Sequence, residues 1–161
     1  LEHRRQRQMC IRDRSKTPIT FSDLLPTILD LAGHDLPVIK DLDGGSFKNS
    51  LSQKEHVNVQ RNHDGLIFHV PYANGIALKR AHSSIIINNF KLVKFYDNNE
   101  LLLFDLKTDF KEQNNLASSN PKKLKSLENT LDEYLHSVNA PKWKPGITWR
   151  AGTLEKINSF H

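Results

Sequence analysis

Two stretches of this 161-residue chain hold residues whose types and spacing could do chemistry. One runs from Gln8 to Ser15, where Cys10, the only cysteine, precedes Arg12 and Arg14. Neighbouring cations lower a thiol pKa and make the sulfur a better nucleophile. The other is Phe68-His69-Val70-Pro71-Tyr72, in which His69 lies inside an apolar run that Pro71 and Tyr72 turn into a loop. A histidine on a strand entering a loop can face a cleft and donate to an anionic or hydroxyl-bearing ligand, and Tyr72 has the same capacity. The competing role for His69 is structural, with its ring hydrogen-bonded to backbone.

Other constellations do not form. The eight histidines are scattered, without the H-x-x-x-H or H-E-x-x-H spacing that puts two metal ligands on one helical face, so no metal site is expected. Asp41 and Asp43 stand near a glycine pair, but the glycine spacing and the missing later glutamate make this a turn rather than a calcium loop. Neither a glycine-rich phosphate loop nor a G-x-S-x-G elbow occurs.

The elements that must position His69 and Tyr72 are legible from pattern. Residues 20–33 read as a helix capped by Ser22 or Asp23, with Pro26 in its first turn and Gly33 at its stop. Leu24, Leu25, Ile28, Leu29 and Leu31 give it an apolar face wide enough for burial. A connector follows, with a turn at Asp43-Gly44-Gly45 and Ser46 free to cap a short helical stretch toward Leu51; the polar run from Ser52 to Asp64 reads as a surface loop. Residues 66–70, 83–88, 90–96 and 100–106 are short, rich in β-branched and aromatic residues and separated by turn residues, which predicts antiparallel strands. Asp97-Asn98-Asn99 offers a tight hairpin. Asn120 as N-cap, Pro121 at the first helical position and Leu124, Leu127, Leu131, Tyr134, Leu135 and Val138 at helical spacing predict a long second helix. The expected fold class is α+β: a small antiparallel sheet of about four strands with a long C-terminal helix packed across it.

The formal charge of +5 is unevenly spread. Residues 1–14 carry five arginines against Glu2 and Asp13, while the rest of the chain is nearly balanced. One reading is a basic arm that contacts phosphates; the favoured one is a segment foreign to the fold. No run approaches eighteen apolar residues, which argues against a membrane span.

The order of pieces resembles the C-terminal part of the sulfatases, of arylsulfatase type, within the alkaline-phosphatase-like superfamily. Asp23, Pro26, Thr27, Leu29, Ala32 and Gly33 match a D-x-x-P-T-x-L-x-x-A-G helix that closes the family's α/β domain, and Asp43, Gly44 and Ser46 match the D-G-x-S element after it. Lys91 and Leu92 match a K-L pair; Leu103, Asp105, Leu106, Asp109, Glu112, Asn115, Leu116 and Ala117 match the run that follows, with Phe104 replacing a tyrosine. Ile86 and Asn88 stand where the family often has arginine and glycine, and Phe68 where a W-H-x-P form has tryptophan.

The resemblance implies a sulfuric ester hydrolase whose formylglycine, calcium ligands and catalytic side chains lie in an N-terminal domain preceding this chain, with none of these held here. It implies a sulfated carbohydrate substrate, partnership with the missing catalytic domain rather than with nucleic acid or membrane, and a periplasmic or secreted location. A related phosphodiesterase or phosphonate hydrolase is the alternative, and a small basic nucleic-acid-binding domain the other. His69 and Tyr72 are the expected substrate-binding residues. Residues 1–16 are expected to be non-native or disordered, 17–60 the end of the catalytic α/β domain, 61–140 the C-terminal subdomain and 141–161 an extended tail. Apolar surface on the first helix or the sheet would agree with a missing partner domain. Cys10 to Arg14 comes one substitution from the C-x-[PA]-x-R motif that yields formylglycine, but it lies only about ten residues before the Asp23 helix. That places it on the wrong side of the α/β core, and the string also resembles translated adapter sequence, so the near-match is read as coincidence.

Overall fold

In a computed structural model, residues 17–34, 42–52, 58–73 and 80–144 are described. The arginine-rich head with Cys10 and the tail beyond Lys144 lie outside these residues. Two units are distinguished, Leu1–His63 and Asp64–His161.

In the first unit a 3-10 turn, Phe21–Asp23, runs directly into helix α1, Leu24–Leu31. The helix therefore begins differently from expectation: neither Ser22 nor Asp23 caps it through its side chain. Asp23 instead points back, where its carboxylate accepts the Thr20 N–H at 2.7 Å. Gly33, at φ 80°, ends the helix. Its N–H donates to the Asp30 carbonyl while His34 N–H reaches back to Leu29, the paired bonds of a Schellman stop. The short helix α2, Lys48–Ser52, follows, with Ser46 Oγ accepting the Lys48 N–H as foreseen.

The buried edge of α1 is not the leucine face. Ile28 and Leu31 are 61% and 56% exposed, whereas Asp23, Pro26 and Thr27 are buried. The physical reason lies in hydrogen bonding. Asp23 Oδ1 accepts the Gly45 N–H at 3.0 Å, and Thr27 Oγ1 accepts the Phe47 N–H at 3.1 Å while donating to the Asp23 carbonyl. The 43–47 loop is thereby drawn onto the polar edge of α1, and the apolar stripe faces away. Gly44 fits there because it has no side chain; a Cβ would collide with the Ser22 carbonyl.

Arg61 closes this centre. Its Nε and Nη2 donate to the two Asp23 oxygens at 2.9 and 2.7 Å, and the pair is nearly inaccessible, with side-chain exposures of 7% and 0%. Burial pushes the Asp23 carboxyl up, but the donors from Arg61, Thr20 and Gly45 outweigh it and hold the group below the usual carboxylate range.

The second unit is a meander of four strands, β1 Leu66–Val70, β2 His82–Ile87, β3 Phe90–Phe95 and β4 Leu101–Asp105, followed by helix α3, Pro121–Ser137. Every neighbouring pair is antiparallel, in the order β1-β2-β3-β4. Register puts Ile67, Ile85, Leu92 and Leu103 in one row across the sheet. Leu127 and Leu131 of α3 pack with Ile85, Leu92 and Leu103 into a fully buried core. Asn120 caps α3 by accepting the Lys123 N–H, and Asn139, at φ 49°, ends it as Gly33 ends α1. The expected α+β architecture is the observed one.

Two tests follow from these packings. Leu131→Ala should lower the stability of the second unit by about 2–5 kcal/mol in urea denaturation, because it opens a cavity where nothing can collapse. Asp23→Asn should cost about 3–5 kcal/mol by stranding the buried Arg61 charge. In the wild type the Asp23 contribution is present above the unfolded carboxyl pKa of 3.8 and is lost as pH falls through the lower folded value. The acid limb of a stability–pH curve should therefore flatten in Asp23→Asn.

Candidate functional site

His69 lies on the face of β1 that turns toward α3, two residues beyond Ile67 in the strand alternation and opposite Ser83 in β2. Its Nε2 is 2.8 Å from the Pro141 carbonyl oxygen, and its Nδ1 is 2.6 Å from Ser83 Oγ. A carbonyl only accepts, so Nε2 carries the proton and Nδ1 accepts from the serine hydroxyl. Ser83 Oγ in turn lies 2.6 Å from the Tyr96 hydroxyl, which completes a one-way chain from Tyr96 through Ser83 and His69 to Pro141. The rings of His69 and Tyr96 also meet edge to face, with centroids 6.1 Å apart.

Burial pushes His69 down from the ordinary value of 6.5, the Pro141 carbonyl opposes this, and His82 adds to the lowering; the net direction is down. The ring is neutral near pH 7, as the hydrogen-bond chain requires. Burial likewise pushes the Tyr96 phenol up. Both ring nitrogens of His69 are thus committed within the chain. Tyr72, two residues past β1, is 37% exposed and lies in the turn after Pro71. The structure does not join His69 and Tyr72 into one cluster; they sit at successive points of the strand exit, one facing inward and one outward.

Among the described residues no group of three or more His, Cys, Asp or Glu side chains could hold a metal ion. Sequence reasoning did not single out Ser83 and Tyr96 as partners of His69, nor Arg61 as the partner of Asp23. The signal for Ser83 was available in principle, since a serine directly across the strand from a histidine is a cross-strand pair, but it needs the register.

Several of the residues behind the family resemblance tie loops to the helices and strands, while Leu92 and Leu103 lie in the core. Asp23, Thr27, Gly44 and Ser46 form the α1–loop centre, where Ser46 Oγ also donates to Asp30 at 2.6 Å. Lys91 Nζ donates to both Glu112 oxygens, at 2.6 and 2.8 Å. Asp109 Oδ2 accepts the N–H groups of Gln113 and Asn114, and Asn115 Oδ1 those of Leu103 and Ala117. Asn88 stands where the family often has glycine, and its φ of 55° is the left-handed turn that such a glycine serves.

Comparison with known proteins places the chain. Residues 7–141 match the family described as N-sulphoglucosamine sulphohydrolase, C-terminal, and the chain belongs to that family. The match begins inside the arginine-rich head. The chain is 26% identical over 149 residues to the protein named uncharacterized sulfatase YdeN of Escherichia coli (strain K12), an alignment of 76% of this chain and 26% of that protein. A similar solved structure is BT4656 in complex with its substrate D-glucosamine-2-N,6-O-disulfate, with 28% identity, a TM-score of 0.58 and coverage of 74% of this chain and 24% of that one. BT1596, a 2-O GAG sulfatase, shares the fold at 21% identity and TM-score 0.56, over 81% of this chain and 26% of that one. The chain spans about a quarter of the length of the relatives it matches.

A pH experiment checks the neutral histidine. Because the folded pKa of His69 lies below the unfolded one, the unfolded state binds the extra proton first, so stability falls as pH drops below about 6.5. His69→Gln should be less stable overall yet show a shallower decline as pH falls below about 6.5. An equal slope in both proteins would remove His69 from that role.

Proposed function

We propose that this chain is the C-terminal portion of a sulfuric ester hydrolase acting on sulfated carbohydrate, of glucosamine type by analogy with what BT4656 is bound to. The observation that carries the reading is the family match over residues 7–141, together with motif residues such as Asp23, Thr27, Lys91, Asp109 and Asn115 that hold loops in place. Formylglycine would supply the nucleophile and calcium the charge stabilisation in the whole enzyme. This chain's part is architectural: its sheet and helix form a wall beside a catalytic domain carried elsewhere in the polypeptide.

The exposed stripe Leu25, Ile28 and Leu31 supports that arrangement, since such a surface on a folded helix marks a contact waiting to be covered. At the end of β1 we assign Tyr72 to contact with substrate, through its exposed ring and hydroxyl. His69 serves the same place by fixing the strand that delivers Pro71 and Tyr72 to it. A phosphodiesterase or phosphonate hydrolase would share the fold; the relatives named as sulfatases favour the sulfate ester. No described helix is long and apolar enough to cross a membrane.

The isolated chain, supplied with calcium, should not hydrolyse 4-nitrophenyl sulfate. Turnover above a buffer blank would overturn the reading. The coding sequence on the Leu1 side should contain a C-x-[PA]-x-R motif, and a longer polypeptide that includes it should hydrolyse the same ester.

A further inference from the structure

The hydrogen-bond chain at His69 has two ways to be satisfied, and one proton separates them. With the ring neutral, Tyr96 donates to Ser83, Ser83 donates to Nδ1, and Nε2–H donates to the Pro141 carbonyl. Both hydroxyls can face the other way, because each has one hydrogen to donate and oxygen lone pairs to accept with. A proton on Nδ1 demands that turn. Ser83 then accepts from Nδ1–H and gives its own hydrogen to the Tyr96 oxygen, across the same 2.6 Å spacings that the neutral chain uses. Nε2–H keeps the Pro141 carbonyl in both arrangements, and the positive charge strengthens that bond.

The change ends at Tyr96, which lines a cleft of about 490 Å³ together with His69, the last turns of α3 and the segment that follows the helix. In the neutral chain its hydroxyl hydrogen is spent on Ser83; in the reversed chain that hydrogen is released for water or another acceptor. Burial and His82 of β2 work against the proton on His69 while the Pro141 carbonyl works for it, so the reversal belongs to the acid side of 6.5. Burial keeps the Tyr96 phenol protonated there. Lys94 of β3 ties Asp132 and Glu128 of α3. His136 of α3 and Lys142 beyond it, which also line the cleft, can bring only positive charge.

We propose that His69, Ser83 and Tyr96 form a proton-operated two-state chain. One proton taken from solvent onto Nδ1 reverses both hydroxyls, keeps the clasp on Pro141 shut and frees the Tyr96 hydrogen from the chain. No bond between heavy atoms forms or breaks, and no heavy atom has to move.

The test is a pH titration of the full chain with isotope-labelled histidine, followed by heteronuclear NMR. His69 is identified among the eight histidines by the signal that His69→Gln lacks. In the wild type its Nε2–H should stay protected from exchange with water on both sides of the titration. Ser83→Ala and Tyr96→Phe should each lower the His69 pKa by roughly half a pH unit or more, because a charged ring loses more from a missing partner than a neutral one does. In Tyr96→Phe the loss falls on the Ser83 hydrogen, which has no oxygen to turn to once the ring is charged. A ring that left the chain on taking its proton would behave in the opposite way: both variants would weaken only the neutral state, so the pKa would rise, and Nε2–H would exchange freely in acid. A pKa that rises or stays put in either variant overturns the proposal, as does loss of Nε2–H protection below the titration. Circular dichroism should show both variants folded, and the wild-type exchange measurement stands without them.

Discussion

The second unit depends on one seam, in which Leu127 and Leu131 of a single helix lie on Ile85, Leu92 and Leu103 from three consecutive strands. A four-stranded sheet cannot hide an apolar row by itself, and one helix covers only the strip beneath it. The seam therefore fixes the position of α3 and, with it, everything along the margins. Lys94 reaches Glu128 and Asp132 at one margin. Further along the same strand direction, polar replaces apolar: Ser83 and His69 continue the row that Ile85 and Ile67 begin. The hydrogen-bond chain through Tyr96 and Ser83 to His69 is thus the wet end of a dry interface, and the cleft opens where the helix runs out.

The strands and the start of α3 could be read from the sequence because each is a local property: alternation, a proline at the first helical turn, asparagine at a cap. The Asp23–Arg61 pair could not, because the partners lie 38 residues apart and Arg61 sits in what reads as a plain polar loop. The leucine face of α1 misled for a related reason. Periodicity identifies a stripe that wants burial, but not whether the neighbouring residues of this chain bury it, and the hydrogen-bonding demands of Asp23 and Thr27 turned the helix the other way. At His69 both available roles were visible in the sequence. The partners that hold its ring became visible only with the register that sets Ser83 across from it and the helix stop that brings Pro141 back over the sheet.

The family signature in this region describes scaffolding. Its aspartates, asparagines and glycines satisfy backbone N–H groups or leave room for backbone, the demands that irregular loops make and that regular elements meet for themselves. This explains how Asn88 can replace a glycine, since asparagine tolerates the same left-handed turn. It also explains why Lys91 matters: with Glu112 it ties β3 to the loop that leads from β4 toward α3.

The bond from His69 to Pro141 joins residues 72 positions apart, whereas each strand pairs with its immediate successor in the chain. Loop-closure entropy makes near-neighbour hairpins the cheap early steps of assembly and distant contacts the late ones. The hairpins close over short loops, whereas the Pro141 carbonyl reaches β1 only because α3 stops at Asn139 and the chain turns back over the sheet. His69 is accordingly a long-range tie, a single ring that holds the end of the helical segment against the first strand of the sheet.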